Sequence, residues 1–87
     1  VALVTGGNRG IGRAISLALG EKGAGVAVNY SKDEVSADAV VNEITGGGGK
    51  AVKIQADVAL RSQVDDMVRN ELIIKGLEYV LRYEIII

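Results

Sequence analysis

Val1-Ala2-Leu3-Val4-Thr5-Gly6-Gly7-Asn8-Arg9-Gly10-Ile11-Gly12 opens the chain with a short apolar run that breaks directly into a glycine cluster. An apolar run rich in valine and bounded by turn residues reads as a strand buried on both faces, as in a parallel sheet. Immediately beyond it, Ile11, Ala14, Ile15, Ala18 and Leu19 fall at i, i+3, i+4, i+7 and i+8. This spacing predicts an amphipathic helix with those five residues as its buried stripe. Gly23 is placed to end it in a left-handed cap. A glycine turn between a strand and a helix is where doubly wound folds bind anions. The first helical N–H groups lack intrahelical partners and carry partial positive charge. Glycines let the backbone approach a pyrophosphate without a Cβ in the way.

The same alternation continues outward. Val26-Ala27-Val28-Asn29-Tyr30 reads as a second strand. A second helix is expected from about Asp33 to Thr45, with Val35, Ala39, Val40 and Ile44 facing the core. Asp33 and Glu34 suit its positive end. Gly46 to Gly49 reads as a connector, and Lys50 to Ala56 as a third strand. Ser62 is the expected cap of a third helix carrying Val64, Met67, Val68 and Leu72. Strand and helix alternating three times predict an α/β Rossmann-type, three-layer αβα unit. Its parallel sheet would have three or four strands, a half domain. Beyond Ile73 the residues Tyr79, Leu81, Tyr83, Ile85 and Ile87 alternate with their neighbours, which favours a fourth strand over a helical alternative. Tyr79 and Tyr83 read as strand residues covering apolar surface.

Composition excludes several classes of function. The chain has 87 residues, enough for one small domain, with a net charge of -1 and no block of like charge. That balance offers no footprint for nucleic acid or an anionic membrane. Cysteine and histidine are both absent, so disulfides, a Cys/His metal site and a Ser–His triad are excluded. No apolar run approaches the roughly 18 residues of a membrane span. The opening Val1-Ala2-Leu3-Val4 has neither the basic segment nor the long apolar core of a signal peptide. Cytoplasmic residence is expected, with an organelle lumen as the alternative. The lack of an initiator Met leads us to expect a start further upstream. A P-loop would place Lys and then Ser or Thr after Gly12. Arg13 and Ala14 stand there, so an ATPase reading is rejected.

The spacing Thr5-Gly6, Gly10, Gly12, together with Val26-Ala27-Val28-Asn29-Tyr30-Ser31 and Gln55-Ala56-Asp57-Val58, resembles the short-chain dehydrogenase/reductase family. The resemblance is strongest to its 3-oxoacyl-acyl-carrier-protein reductase branch. It covers about four fifths of the chain and only the front part of a family member. It implies a strand order of 3-2-1-4 and a dinucleotide cofactor, with hydride transfer at a carbonyl/alcohol carbon as the lineage's reaction. Gly6, Gly10 and Gly12 would form the pyrophosphate turn, with Asn8 inside it and Ile11 near the nicotinamide side. Asp57 would bind the adenine amino group, and Val58 would pack beside the base. The alternative for Asp57 is a polar turn residue ahead of a helix.

NAD-preferring relatives carry an acid at the end of the second strand, on the ribose 2′-hydroxyl. Tyr30 stands there, followed by Ser31, and Arg9 lies in the glycine turn. A guanidinium pairs well with a phosphate, so NADP(H) is favoured over NAD(H). Asp33 and Glu34 weigh against this, since either would compete if it swung toward the ribose. The family's catalytic Tyr has a Lys four residues later. Tyr30 is followed at that distance by Glu34, Tyr79 by Tyr83 and Tyr83 by Ile87. No catalytic residue is therefore assigned, and no metal. Leu77-Glu78-Tyr79-Val80-Leu81 resembles the family's fourth strand. Arg82-Tyr83-Glu84-Ile85 stands where an Asn-Asn-Ala-Gly motif would follow. Residues 1–87 are thus expected to be a truncated dinucleotide-binding unit with a divergent tail over 72–87. The alternative is a non-catalytic dinucleotide-binding or dimerising fragment, a homo-oligomer with an exposed apolar edge.

Overall fold

The computed structural model describes residues 2–66 and 84–86. Its elements run β1 (Ala2–Val4), α1 (Gly10–Glu21), β2 (Gly25–Tyr30), α2 (Glu34–Gly46), β3 (Lys50–Gln55), α3 (Arg61–Asp66) and β4 (Glu84–Ile86). The strands form one sheet in the order β3-β2-β1-β4, and every pairing is parallel. Val4 stands opposite Val28 on one side and Ile86 on the other. The chain steps outward from β1 to β2 to β3, then returns past β1 to β4. That reversal creates a switch point beside β1, where open α/β sheets leave a crevice at the carboxyl ends of their strands.

Side chains alternate across the sheet, as the strand period requires. Val4, Val26, Val28 and Tyr30 form one cluster with Ala37, Val40 and Ile44 of α2, against which Ile15, Leu17 and Leu19 of α1 pack. Leu3, Ala27 and Ile54 are buried in a second cluster with Ala56. Lys53 projects to the α2 side and bonds Asp38 at 2.5 Å and Glu34 at 3.0 Å. Those carboxylates, Asp38 first, raise the pKa of its ammonium group. Arg13 meets Glu43 at 2.9 Å between α1 and α2. Both side chains are about half exposed, so this pair adds little to stability.

The helices lie rotated from their sequence expectation. In α1 only Ile15 and Leu19 of the five stripe residues pack against the core. Ile11, Ala14 and Ala18 are exposed, and Ser16 and Gly20 are buried instead. The inward face is Gly12, Ser16 and Gly20, a turn by one residue or roughly 100°. Close approach of α1 to the glycine turn causes it. A Cβ on Gly12 would collide with the Gly6 carbonyl, so only small residues fit that face. In α2 the buried residues are Ala37, Val40 and Ile44, while Val35 and Ala39 face solvent.

The caps explain where the helices stop. Gly23 takes φ +91°, Ala24 N–H donates to the Leu19 carbonyl and Gly23 N–H to that of Gly20. Gly48, at φ +90°, ends α2 in the same Schellman arrangement, so the glycine run is a structured helix stop. Ser62 is not the cap of α3. The helix begins at Arg61, and Gln63 N–H donates to the Leu60 carbonyl. Met67, Val68, Leu72 and residues 77–81 lie outside the described residues. Glu84 and Ile85, expected to stand in place of a loop motif, belong to β4.

The glycine-turn cleft as candidate functional site

The cleft lies at the carboxyl ends of β1, β2 and β3 and has a volume of about 610 Å³. That is within the range of small-molecule sites. Three loops supply its walls. Gly6, Asn8, Arg9 and Gly10 come from the turn after β1. Asn29, Ser31, Lys32 and Asp33 come from the end of β2 and beyond, and Ala56, Asp57 and Val58 follow β3.

The turn is built from its backbone outward. Gly6 and Gly10 hold φ of +61° and +54°, in the left-handed region that side chains disfavour. Gly7 N–H donates to the carbonyls of Val4 at 3.1 Å and Asn29 at 3.0 Å. Ser16, fully buried, donates from its hydroxyl to the Gly7 carbonyl at 3.1 Å and so ties α1 to the turn. Arg9 stands at the N-cap of α1 in extended conformation, with no side-chain cap and no acid in the first turn. α2 contrasts with it. Asp33 accepts from Ser36 N–H at 3.1 Å and caps that helix. The positive end of α1 therefore carries no acid of its own, whereas that of α2 is satisfied by Asp33.

Asn29 is the organiser that sequence reading missed. It is 2% exposed. Its carboxamide oxygen accepts from Gly6 N–H at 3.1 Å, and its nitrogen donates to the carbonyls of Ile54 at 3.3 Å and Ala56 at 3.2 Å. One side chain thus joins the three strand ends that frame the cleft. The signal was a lone amide inside an apolar strand, because buried polar groups have partners. Lys32, Asp33 and Ala56 were likewise not assigned to the site from sequence.

Seven of the expected contact residues line the cleft: Gly6, Asn8, Arg9, Gly10, Ser31, Asp57 and Val58. Three do not. Ile11 stands on the first turn of α1 with 81% exposure. Gly12 packs beneath Gly6. Tyr30 is buried in the core and donates its hydroxyl to Glu34 at 3.2 Å. Burial first, and Glu34 second, push its pKa up. Asp57 uses a carboxylate oxygen to accept from Ala59 N–H at 3.0 Å, so it shapes the turn as well as lining the cleft. Asp33 is held below the usual carboxylate range, chiefly by the Ser36 N–H and hydroxyl, with Arg9 contributing. Its stabilisation is present above its ordinary pKa of 3.8 and is lost only as pH falls through the lowered folded value. Among the described residues no cluster of acids suits a metal ion, and no helix is long and apolar enough to cross a membrane.

A parallel sheet with a switch point, and a glycine turn feeding an uncapped helix at its carboxyl edge, define a Rossmann-type α/β unit. The family model for short chain dehydrogenases matches residues 1–77. The chain belongs to that family. It is 50% identical over 72 residues to a 3-oxoacyl-[acyl-carrier-protein] reductase of Synechocystis sp., covering 83% of this chain and 29% of that one. It is 51% identical over 69 residues to the short-chain dehydrogenase/reductase homolog YusS of Bacillus subtilis, covering 79% and 63%. Among solved structures, the angucycline C-6 ketoreductase LanV with bound NADP superposes with a TM-score of 0.76 at 38% identity, over 86% of this chain and 30% of that one. The chain thus spans less than two thirds of the length of these relatives.

Proposed function

We propose that this chain is the NADP(H)-binding portion of a reductase or dehydrogenase and binds the coenzyme without turning substrate over. The observation that carries this reading is the α1 N-terminus at the cleft, whose N-cap residue Arg9 makes no side-chain cap and whose first turn holds no acid. The residues fit the group. Gly6 and Gly10 leave a backbone cradle that a Cβ would narrow, and the N–H groups of the first α1 turn suit a pyrophosphate. Arg9 and Ser31, joined by Lys32, would hold a ribose 2′-phosphate, and Asp57 and Val58 the adenine. Asp33 is engaged by Ser36, and Glu34 by Tyr30 and Lys53, which supports the NADP(H) reading over competition from those acids. When bound, the coenzyme supplies or takes up hydride. The lineage's reaction would be carbonyl reduction or alcohol oxidation, with 3-oxoacyl thioesters as the substrate class suggested by the Synechocystis relative. Residues 1–87 would act as one unit, with 72–87 departing from the family pattern.

Fluorescence titration of the 87-residue chain with NADPH and with NADH tests this. Saturable binding that favours NADPH is expected. Arg9→Ala should weaken NADPH about tenfold, as loss of a charge-assisted bond to phosphate does, and leave NADH nearly unchanged. No carbonyl reduction should accompany binding, because no Tyr in the sequence has a Lys four residues on. Equal affinities would remove the Arg9 assignment, and turnover would overturn the non-catalytic reading.

A further inference from the structure

Asn8 is 7% exposed, and its amide nitrogen reaches the residues at the start of α2. It donates to the Ser36 hydroxyl at 2.9 Å and to the Asp33 carbonyl at 3.5 Å. The Ser36 hydroxyl in turn donates to the Asp33 carbonyl at 3.1 Å, while Ser36 N–H holds the Asp33 carboxylate. The glycine turn and the first turn of α2 are therefore stitched together by one small ring of hydrogen bonds. Asn29 makes a second link, from Gly6 to the end of β3, while Asn8 and Ser36 join the glycine turn to the start of α2.

The cations on those walls belong to different loops. Arg9 follows Asn8 directly, and Lys32 precedes Asp33 directly. A ligand group that touches both requires the loops to hold a fixed separation. A ligand that touches only the glycine turn does not. The ring also fixes the Asp33 backbone carbonyl, while the Asp33 carboxylate is held on the helix end separately by the Ser36 N–H. We infer that Asn8 and Ser36 form a latch that positions Arg9, Lys32 and Asp33, and that this latch sets the preference for NADPH over NADH. The inference rests on the proposed coenzyme site and assigns it two positioning residues. Neither acts on the reacting atoms.

Ser36→Ala tests it cleanly, since alanine is favoured in a helix and the fold should be kept. The ratio of NADPH to NADH affinity should fall about fivefold, the effect of one lost polar link. The loss should fall on NADPH, with the thermal midpoint close to that of the parent chain. Ser36→Thr keeps the hydroxyl and should restore the ratio. Asn8→Ala should lower the ratio similarly, and the double variant should be no worse than either single one, because both remove the same link. An unchanged ratio in Ser36→Ala, or equal weakening of both coenzymes, would overturn the latch as a selectivity device. If the parent chain binds neither coenzyme, the functional reading itself fails and the latch fails with it. That outcome is seen before any variant is compared.

Discussion

Replacing Gly12 by alanine should break the site and weaken the fold together. A Cβ there would strike the Gly6 carbonyl oxygen, and would also lie 2.8 Å from the Gly6 carbonyl carbon and 3.1 Å from the Gly7 Cα. These are backbone atoms, so no side chain can rotate away. Either α1 moves off the sheet or the turn loses its left-handed Gly6. Overpacking of this kind costs about 1–3 kcal/mol, while alanine returns about 1 kcal/mol of helix propensity. Gly12→Val adds further atoms to the clash and gives little of that return. We expect its thermal midpoint to fall by about 10 °C, the shift that 2 kcal/mol produces in a domain of this size. NADPH affinity should fall by at least about tenfold in Gly12→Ala, because the backbone cradle is displaced. Thermal unfolding and coenzyme titration check both. A Gly12→Val chain with parental stability and binding would show that α1 has room at this point.

Asn29→Leu should cost comparable stability by a different route. Leucine shares the branching and heavy-atom count of asparagine but removes the acceptor for Gly6 N–H and the donor for the Ile54 and Ala56 carbonyls. Each buried group left without a partner costs about 1–3 kcal/mol. We expect a total loss of about 3 kcal/mol, with the Gly6 amide the most affected position for coenzyme binding. Asn29→Asp keeps the acceptor and should spare the turn while loosening the end of β3. Denaturant unfolding separates the two. Parental stability in Asn29→Leu would mean the strand ends are held together without this amide.

The alternation of strand and helix and the glycine turn were legible because each rests on local chemistry, whereas the 3-2-1-4 order came only from the family resemblance and is the order the sheet has. Apolar runs, helix stops and glycines announce themselves by residue type. The faces of the helices were not legible. Ile11, Ala14 and Ala18 looked inward by hydropathy, but the tight approach at Gly12 gives that place to Gly12, Ser16 and Gly20. Hydropathy ranks side chains by transfer energy and carries no term for the space available. The same limit applies in α2, where Val35 faces solvent and Ala37 turns inward. At the cleft, Ser31, Asp57 and Val58, expected through the family resemblance, do line its walls. Asn29 is hidden as a site residue by its place inside an apolar strand, and the family position for the ribose at the end of the second strand falls on Tyr30, which turns away from the cleft. Side chains alternate, so Tyr30 joins Val26 and Val28 in the core.

The most direct test of a coenzyme cleft at the carboxyl ends of β1, β2 and β3 is an amide chemical-shift titration of the isotope-labelled chain with NADPH. The amides of Gly6, Arg9, Gly10, Lys32 and Asp57 should shift saturably together. Those of Leu17, Gly20 and Gly47, which line a separate groove between α1 and α2, should stay in place. A folded chain whose shifts centre on that second groove, or that shows none, would contradict the assignment of the glycine turn as the binding site.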